Sequence, residues 1–183
     1  MNATYKITLK SQLFIIRELF LFAWPCRVGY YVLDYLYPGD DTFLLEWLAG
    51  GFFVIQILPS AIIHFQYLNY NKDTIVTVNP NERTITIEEK GVIHSFRFEK
   101  IKSLRLALMA DLYNGHDGGF IACLKYHYAY IELQNGDEFI ITCLVYNDLR
   151  KFFKDIGLEA NKDLVFFPGV RMARYMRDEV ETV

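Results

Sequence analysis

Hydrophobic and polar positions along this 183-residue chain fall into stretches of different rhythm. Thr4 to Leu9 alternates as a short strand would. Leu13 to Leu68 is dominated by apolar and aromatic residues, with one polar break at Pro38-Gly39-Asp40-Asp41-Thr42. From Lys72 onward the period becomes two, the signature of half-buried strands. Near the end, Leu149, Phe152, Phe153 and Ile156 return to helical spacing, closed by Gly157.

The apolar half reads as two helices joined by the Pro-Gly turn. The 25 residues between Glu46 and Lys72 contain no Asp, Glu, Lys or Arg. About 20 apolar residues suffice to cross a bilayer core. Trp47 at one end and Tyr67 and Tyr70 at the other suit the two interfaces. Leu13–Tyr37 is the weaker span because it carries Arg17, Glu18, Arg27 and Asp34. Arg27 falls near mid-span, where a charge costs about 3 kcal/mol, so it calls for relief from Asp34 or Gln56, or for a kinked or oligomer-lining helix at Pro25. Residues 37–46 hold no Lys or Arg, whereas Lys6, Lys10, Arg17, Lys72, Arg83 and Lys90 flank the pair. The expectation is a transmembrane hairpin in the cytoplasmic (inner) membrane with both termini cytoplasmic.

The period-two half predicts an antiparallel meander. Candidate strands are 73–78, 83–88, 92–98 and 102–108, separated by short turns at Asn79-Pro80-Asn81-Glu82 and Glu89-Lys90-Gly91. A Gly-rich loop over 109–119 precedes a long fifth strand, 120–134. Asn135-Gly136 predicts a type I′ hairpin, which pairs Tyr130 with Ile141 and Tyr128 with Cys143. The 147–156 helix must bury its stripe against the sheet.

This order of elements, the Asn135-Gly136 hairpin and the terminal Leu-x-x-Phe-Phe-x-x-Ile stripe resemble the pleckstrin-homology (PH)-like fold. Taken with the helix pair, the chain resembles bacterial membrane-anchored proteins that carry PH-like domains. The resemblance implies an α+β membrane protein: an N-terminal two-helix transmembrane hairpin, then an antiparallel PH-like split β-barrel capped by a C-terminal helix. The expected divisions are 1–70 for the hairpin, 71–158 for the barrel and its helix, and 159–183 for a tail.

Composition narrows function more than it identifies it. A net charge of −3 supplies no basic field for nucleic acid. Cys26, Cys123 and Cys143 lack paired spacing, which fits buried apolar residues in a reducing compartment. His64, His94, His116 and His127 form no metal-ligand pair, and no nucleotide, hydrolase or metal motif is present. No metal or cofactor is therefore expected, and no enzyme activity. Asp111, His116 and Asp117 on the 109–119 loop form the one candidate loop site, for which a polar surface loop is the simpler account. Tyr126, Tyr128 and Tyr130 share a face that is either an interaction surface or the barrel core, the latter preferred. Arg171, Arg174 and Arg177 recur every third residue and suit an anionic leaflet. Arg27 and Asp34 are the intramembrane polar pair. The reading is a membrane-tethered cytoplasmic binding or scaffolding module that recognises a protein, a peptide or a lipid headgroup, with room for an oligomer. The alternative is an enzyme or sensor with its site in the 109–119 loop or at the domain–membrane junction.

Overall fold

A computed structural model describes the backbone of residues 3–36, 42–116 and 122–169. The chain opens with β1 (Ala3–Lys6), then two long helices, α1 (Leu9–Leu36) and α2 (Thr42–Asn71). Thr8 and Ser11 start α1 by reciprocal capping: Ser11 N–H donates to Thr8 Oγ1 at 3.1 Å and Thr8 N–H to Ser11 Oγ at 3.0 Å. Next come β2 (Thr74–Asn79), β3 (Thr84–Glu89), β4 (Val92–Arg97), a 3-10 turn at Phe98–Lys100, and β5 (Ile101–Leu108). The remainder comprises α3 (Ala110–Tyr113), a 3-10 turn at Ala122–Lys125, β6 (Tyr128–Leu133), β7 (Glu138–Thr142), α4 (Leu149–Asp155) and β8 (Asn161–Leu164).

Two four-stranded sheets result, ordered β1-β2-β3-β4 and β7-β6-β5-β8. Alternation along β2 and β3 buries Val76, Val78, Ile85 and Ile87, which meet Leu104, Leu106, Ala129 and Ile131 of the other sheet. The α4 stripe of Leu149, Phe152 and Phe153 closes this core, as its spacing predicts. β1 pairs antiparallel with β2, which supplies the partner for the N-terminal alternation. Tyr5 then meets Tyr146 and Phe152 edge-on, with centroids 5.1 and 5.3 Å away. β8, from the expected tail, pairs parallel with β5.

The transmembrane hairpin is not supported. Among the described residues, no helix is long and apolar enough to cross a membrane. The cause lies in helix faces, which an apolar count cannot distinguish. The expected span Trp47–Leu68 loses its last turns to the protein, because Ser60, Ile63, His64 and Tyr67 are buried against the β domain. Trp47–Pro59 remains, well short of the roughly 20 residues a crossing needs. The expected span Leu13–Tyr37 carries four charges along α1, and Tyr37 lies outside the described residues. The inner-membrane location with both termini cytoplasmic loses its basis as well, since without a crossing the Lys/Arg bias has nothing to orient.

The Asn135-Gly136 turn differs from expectation, whereas the turn at Glu89-Lys90-Gly91 lies where the sequence places it. At Asn135-Gly136 the loop has three residues: Gly136 N–H donates to Leu133 O at 3.0 Å, and Leu133 N–H to Asp137 O at 2.9 Å. Only Gly136 takes positive φ there, at 88°, so a type I turn followed by a left-handed glycine replaces type I′. The extra residue moves the register by one, pairing Tyr130 with Ile140 and Tyr128 with Thr142. The type I′ conformation occurs instead at Lys90 (φ 51°) and Gly91 (φ 82°), between the paired Glu89 and Val92. The long fifth strand is divided: the 3-10 turn at Ala122–Lys125 precedes β6.

Candidate functional site

An open pocket of about 700 Å³ lies between β4 and the β6–β7 turn. Its walls are His94, Ser95, Phe96, Arg97, Lys100, Leu133, Gln134, Asn135 and Asp137. The corner is held by Gln134, whose N–H donates to Lys100 O and whose Nε2 donates to Glu99 O, both at 2.9 Å. Phe96 is buried and stacks on Phe139 at 5.5 Å, giving the pocket an apolar floor. The turn supplies polar groups: Asn135 Nδ2 donates to Asp137 Oδ2 at 2.7 Å, and Asn135 Oδ1 accepts from Asp137 N–H. Arg97 and Lys100 are exposed at the rim. Arg83 engages Glu99 at 3.0 Å nearby, whereas Arg97 and Lys100 make no ion pair among the described residues. Two cations, an imidazole, amide groups and one carboxylate around an apolar floor can bind an anion with an attached apolar or polar body.

The tyrosine face occupies a different place. Ala129 and Ile131 point into the core between the sheets, while Tyr126, Tyr128 and Tyr130 face the end of α2. Ile63 and Tyr67 cover Tyr126 and Tyr128, with Ile140, Cys143 and Leu144, in a second core. All three tyrosines are buried. Burial, then the hydrogen bond to Glu138, pushes the Tyr130 phenol up to about 12; burial does the same for Tyr128. His64 Nδ1 lies 3.1 Å from Tyr126 Oη, and burial lowers the His64 pKa. Tyr67 Oη donates to Pro168 O at 2.7 Å, which ties α2 to the segment after β8. Asn71 seals the β7 edge: its Nδ2 donates to Ile140 O at 3.0 Å and its Oδ1 accepts from Thr142 N–H at 2.9 Å.

His127 has a structural setting that its position before β6 does not disclose. It is buried, its Nδ1 donates to Lys125 O at 2.8 Å, and its Nε2 accepts from Leu149 N–H at 3.1 Å. Asp148 accepts from Arg150 N–H and Lys151 N–H, so the first three amides of α4 are all satisfied. Burial pushes Asp148 up, but the hydrogen bond and charge of Arg150 outweigh it and hold the carboxyl below its usual value.

The 109–119 loop begins with α3. Arg150 Nη1 donates to Leu112 O at 3.1 Å and His116 O at 3.2 Å, clamping the loop to α4. Asp111 is half-buried on α3 and the His116 side chain is exposed; Asp117 lies outside the described residues. No group of three or more metal-ligating side chains occurs among the described residues. On α1, Asp34 is half-buried, and Arg27 is placed by its backbone alone. Arg171, Arg174 and Arg177 lie outside the described residues. Sequence reasoning missed the pocket because Arg97 and Lys100 meet Asn135 only through the sheet corner. The one available signal is Arg97-Phe98-Glu99-Lys100, where two cations bracket a single acid at the end of a predicted strand.

A family model described as a PH domain matches residues 4–152, which takes in both long helices and every strand except β8. No curated protein and no solved structure matches the chain.

Proposed function

Since the chain belongs to the PH domain family, we propose that it is a non-catalytic binding module that takes an anionic lipid headgroup in the pocket between β4 and the β6–β7 turn. The observation that carries this reading is the pair Arg97 and Lys100, exposed at the rim of a pocket of about 700 Å³ and free of ion pairs among the described residues. A phosphate gains charge-assisted hydrogen bonds from both. Gln134 and Asn135 offer amide donors to headgroup hydroxyls, and the Phe96 and Leu133 floor accepts apolar surface. The enzyme or sensor alternative has less support: the Leu112 and His116 carbonyls of the 109–119 loop both accept from Arg150, a structural clamp.

Co-sedimentation of the full chain with vesicles tests the reading. Vesicles containing a fifth anionic phospholipid are expected to bind more chain than neutral vesicles, with binding weakened by salt. Each basic residue near an anionic surface is worth about 1 kcal/mol. Replacing both Arg97 and Lys100 with alanine therefore predicts about a thirty-fold loss. Undiminished binding by that double variant refutes the pocket assignment. Titration with soluble glycerol phosphate, followed by amide shifts at residues 94–100 and 133–137, separates pocket occupancy from general adhesion.

A further inference from the structure

The chain holds two Asn-Gly pairs, Asn114-Gly115 and Asn135-Gly136, and folds them differently. Both asparagines are exposed, and Gly115 and Gly136 share a φ of 88°. Each glycine N–H is held by a carbonyl of the same turn, Gly115 by Leu112 O at 3.2 Å and Gly136 by Leu133 O at 3.0 Å. The surroundings of the asparagine side chains then diverge. Asn135 Oδ1 accepts from Asp137 N–H at 3.1 Å, and its Nδ2 donates to Asp137 Oδ2 at 2.7 Å. After Asn114 the corresponding amide, His116 N–H, goes to Asp111 O at 2.9 Å instead.

We propose that Asn135 is a self-modifying site: the Gly136 nitrogen displaces its side-chain amide, and the acid that forms weakens anion binding in the pocket between β4 and the β6–β7 turn. Gly136 N forms a bond to Asn135 Cγ and gives up its proton. The Cγ–Nδ2 bond breaks, and that proton leaves with the nitrogen as ammonia. Water then opens the five-membered imide at either carbonyl, leaving aspartate or its β-linked isomer. The turn at Asn135 assists each step. A side chain that curls back to the Asp137 amide carries Cγ towards the intervening Gly136 nitrogen. Glycine brings no Cβ into that approach. As Cγ is attacked, negative charge develops on Oδ1, where Asp137 N–H already donates. The Asp137 carboxylate, in contact with Nδ2, takes the Gly136 proton and hands it to the departing nitrogen. Asn114 has the same glycine geometry but lacks that donor, because His116 N–H is engaged elsewhere. The consequence rests on the anion-binding reading of the pocket, which Asn135 lines beside Arg97, Lys100 and Asp137. With Asn135 intact, these cations face the Asp137 carboxylate alone; after conversion they face a second carboxylate at 135. Offsetting one basic residue weakens binding about five-fold. No step restores the amide, so conversion accumulates with the age of the chain.

The full chain, held in warm, mildly alkaline buffer and digested at intervals, tests this by mass spectrometry of the peptides. Asn135 is expected to convert on the order of ten-fold faster than Asn114, with the β-linked isomer among the products. In urea the two rates should converge, since the fold makes the difference. Asp137→Ala should slow Asn135 and leave Asn114, the internal reference, unchanged. Equal rates in the folded chain, a faster Asn114, or a difference that survives urea overturns the proposal. So does an Asp137→Ala variant in which Asn135 keeps its rate. Intact and fully converted chains are then compared on vesicles containing a fifth anionic phospholipid. Binding about five-fold weaker after conversion is expected, and equal binding overturns the effect on the pocket. If the intact chain also fails to bind, the pocket reading itself falls, while the conversion at Asn135 is still read by mass.

Discussion

Lowering the pH from 7 to 4.5 should destabilise this protein through one buried imidazole. Burial, partly offset by the Lys125 carbonyl, lowers the His127 pKa from 6.5 to about 4. The geometry agrees, because Nε2 must stay unprotonated to accept from Leu149 N–H. Above pH 6.5 the folded and unfolded chains both hold a neutral ring, and this residue adds no pH dependence. Between 6.5 and about 4 the unfolded chain takes up a proton that the folded chain refuses, so stability falls as the pH falls. Below about 4 both states are protonated and the loss levels off. At about 1.4 kcal/mol per pH unit the full window is worth roughly 3 kcal/mol. In a chain of this size that corresponds to a Tm lower by about 6–12 °C. His64, also lowered by burial, acts with the same sign. Glu89, raised by burial, acts with the opposite sign. Asp148, held below its ordinary 3.8, contributes its loss only in more acidic solution. Thermal melts at fixed protein concentration between pH 4.5 and 7.5 measure the slope. His127→Gln keeps a neutral acceptor for Leu149 and should flatten the curve while lowering stability at pH 7 only modestly. A Tm that stays level through this window, or a His127→Gln variant with the wild-type slope, refutes the reasoning.

Three further outcomes follow from single contacts. Asn71→Ala strands the Ile140 carbonyl and the Thr142 amide at the β7 edge; urea unfolding should show a loss of about 2–3 kcal/mol. Lys90 occupies the left-handed region at φ 51°, so Lys90→Asn should raise stability by up to about 1 kcal/mol in the same assay. Asp148→Ala removes the cap of α4 and a partner of Arg150; it should cost about 1–2 kcal/mol and speed hydrogen exchange at Arg150 and Lys151.

The β half of the fold was legible because its strands obey a local rule. Alternation located β2 to β5 and β7 to within a residue or two, and the Leu149, Phe152, Phe153 stripe located α4, since both patterns record which side of an element meets the core. Register was not legible. Asn135-Gly136 suits two turn types that differ by one residue, and the choice depends on the bonds that Leu133 makes to both ends of the loop. The pocket was not legible either, because Lys100 and Gln134 are neighbours only once the sheet corner forms. The helical hairpin was misread for a related reason. An apolar run reports how much surface must be hidden and says nothing about what hides it. Along α2, a protein core takes one face at Ile63 and Tyr67, while Trp47, Val54 and Leu58 remain exposed on the other.

That division of α2 bears on whether the strands after Asn71 stand alone. A fragment of residues 71–183 lacks β1, so β2 loses the partner that pairs with Ile75 to Val78. It also lacks Ile63 and Tyr67, both fully buried over the tyrosine layer. Burial of two such side chains is worth about 1.5–3 kcal/mol each, and removing β1 exposes the Tyr146 and Phe152 rings that Tyr5 covers. The combined loss approaches the whole stability of an ordinary domain, about 5–15 kcal/mol. The fragment is therefore expected to keep strand content in the far ultraviolet, to lose its near-ultraviolet tyrosine signal and to bind a hydrophobic dye, as chains with unfixed packing do. Adding residues 1–70 back in the same chain should restore the signal. A 71–183 fragment that melts cooperatively at the full-length Tm would show that α2 merely rests on the tyrosine layer and does not complete it.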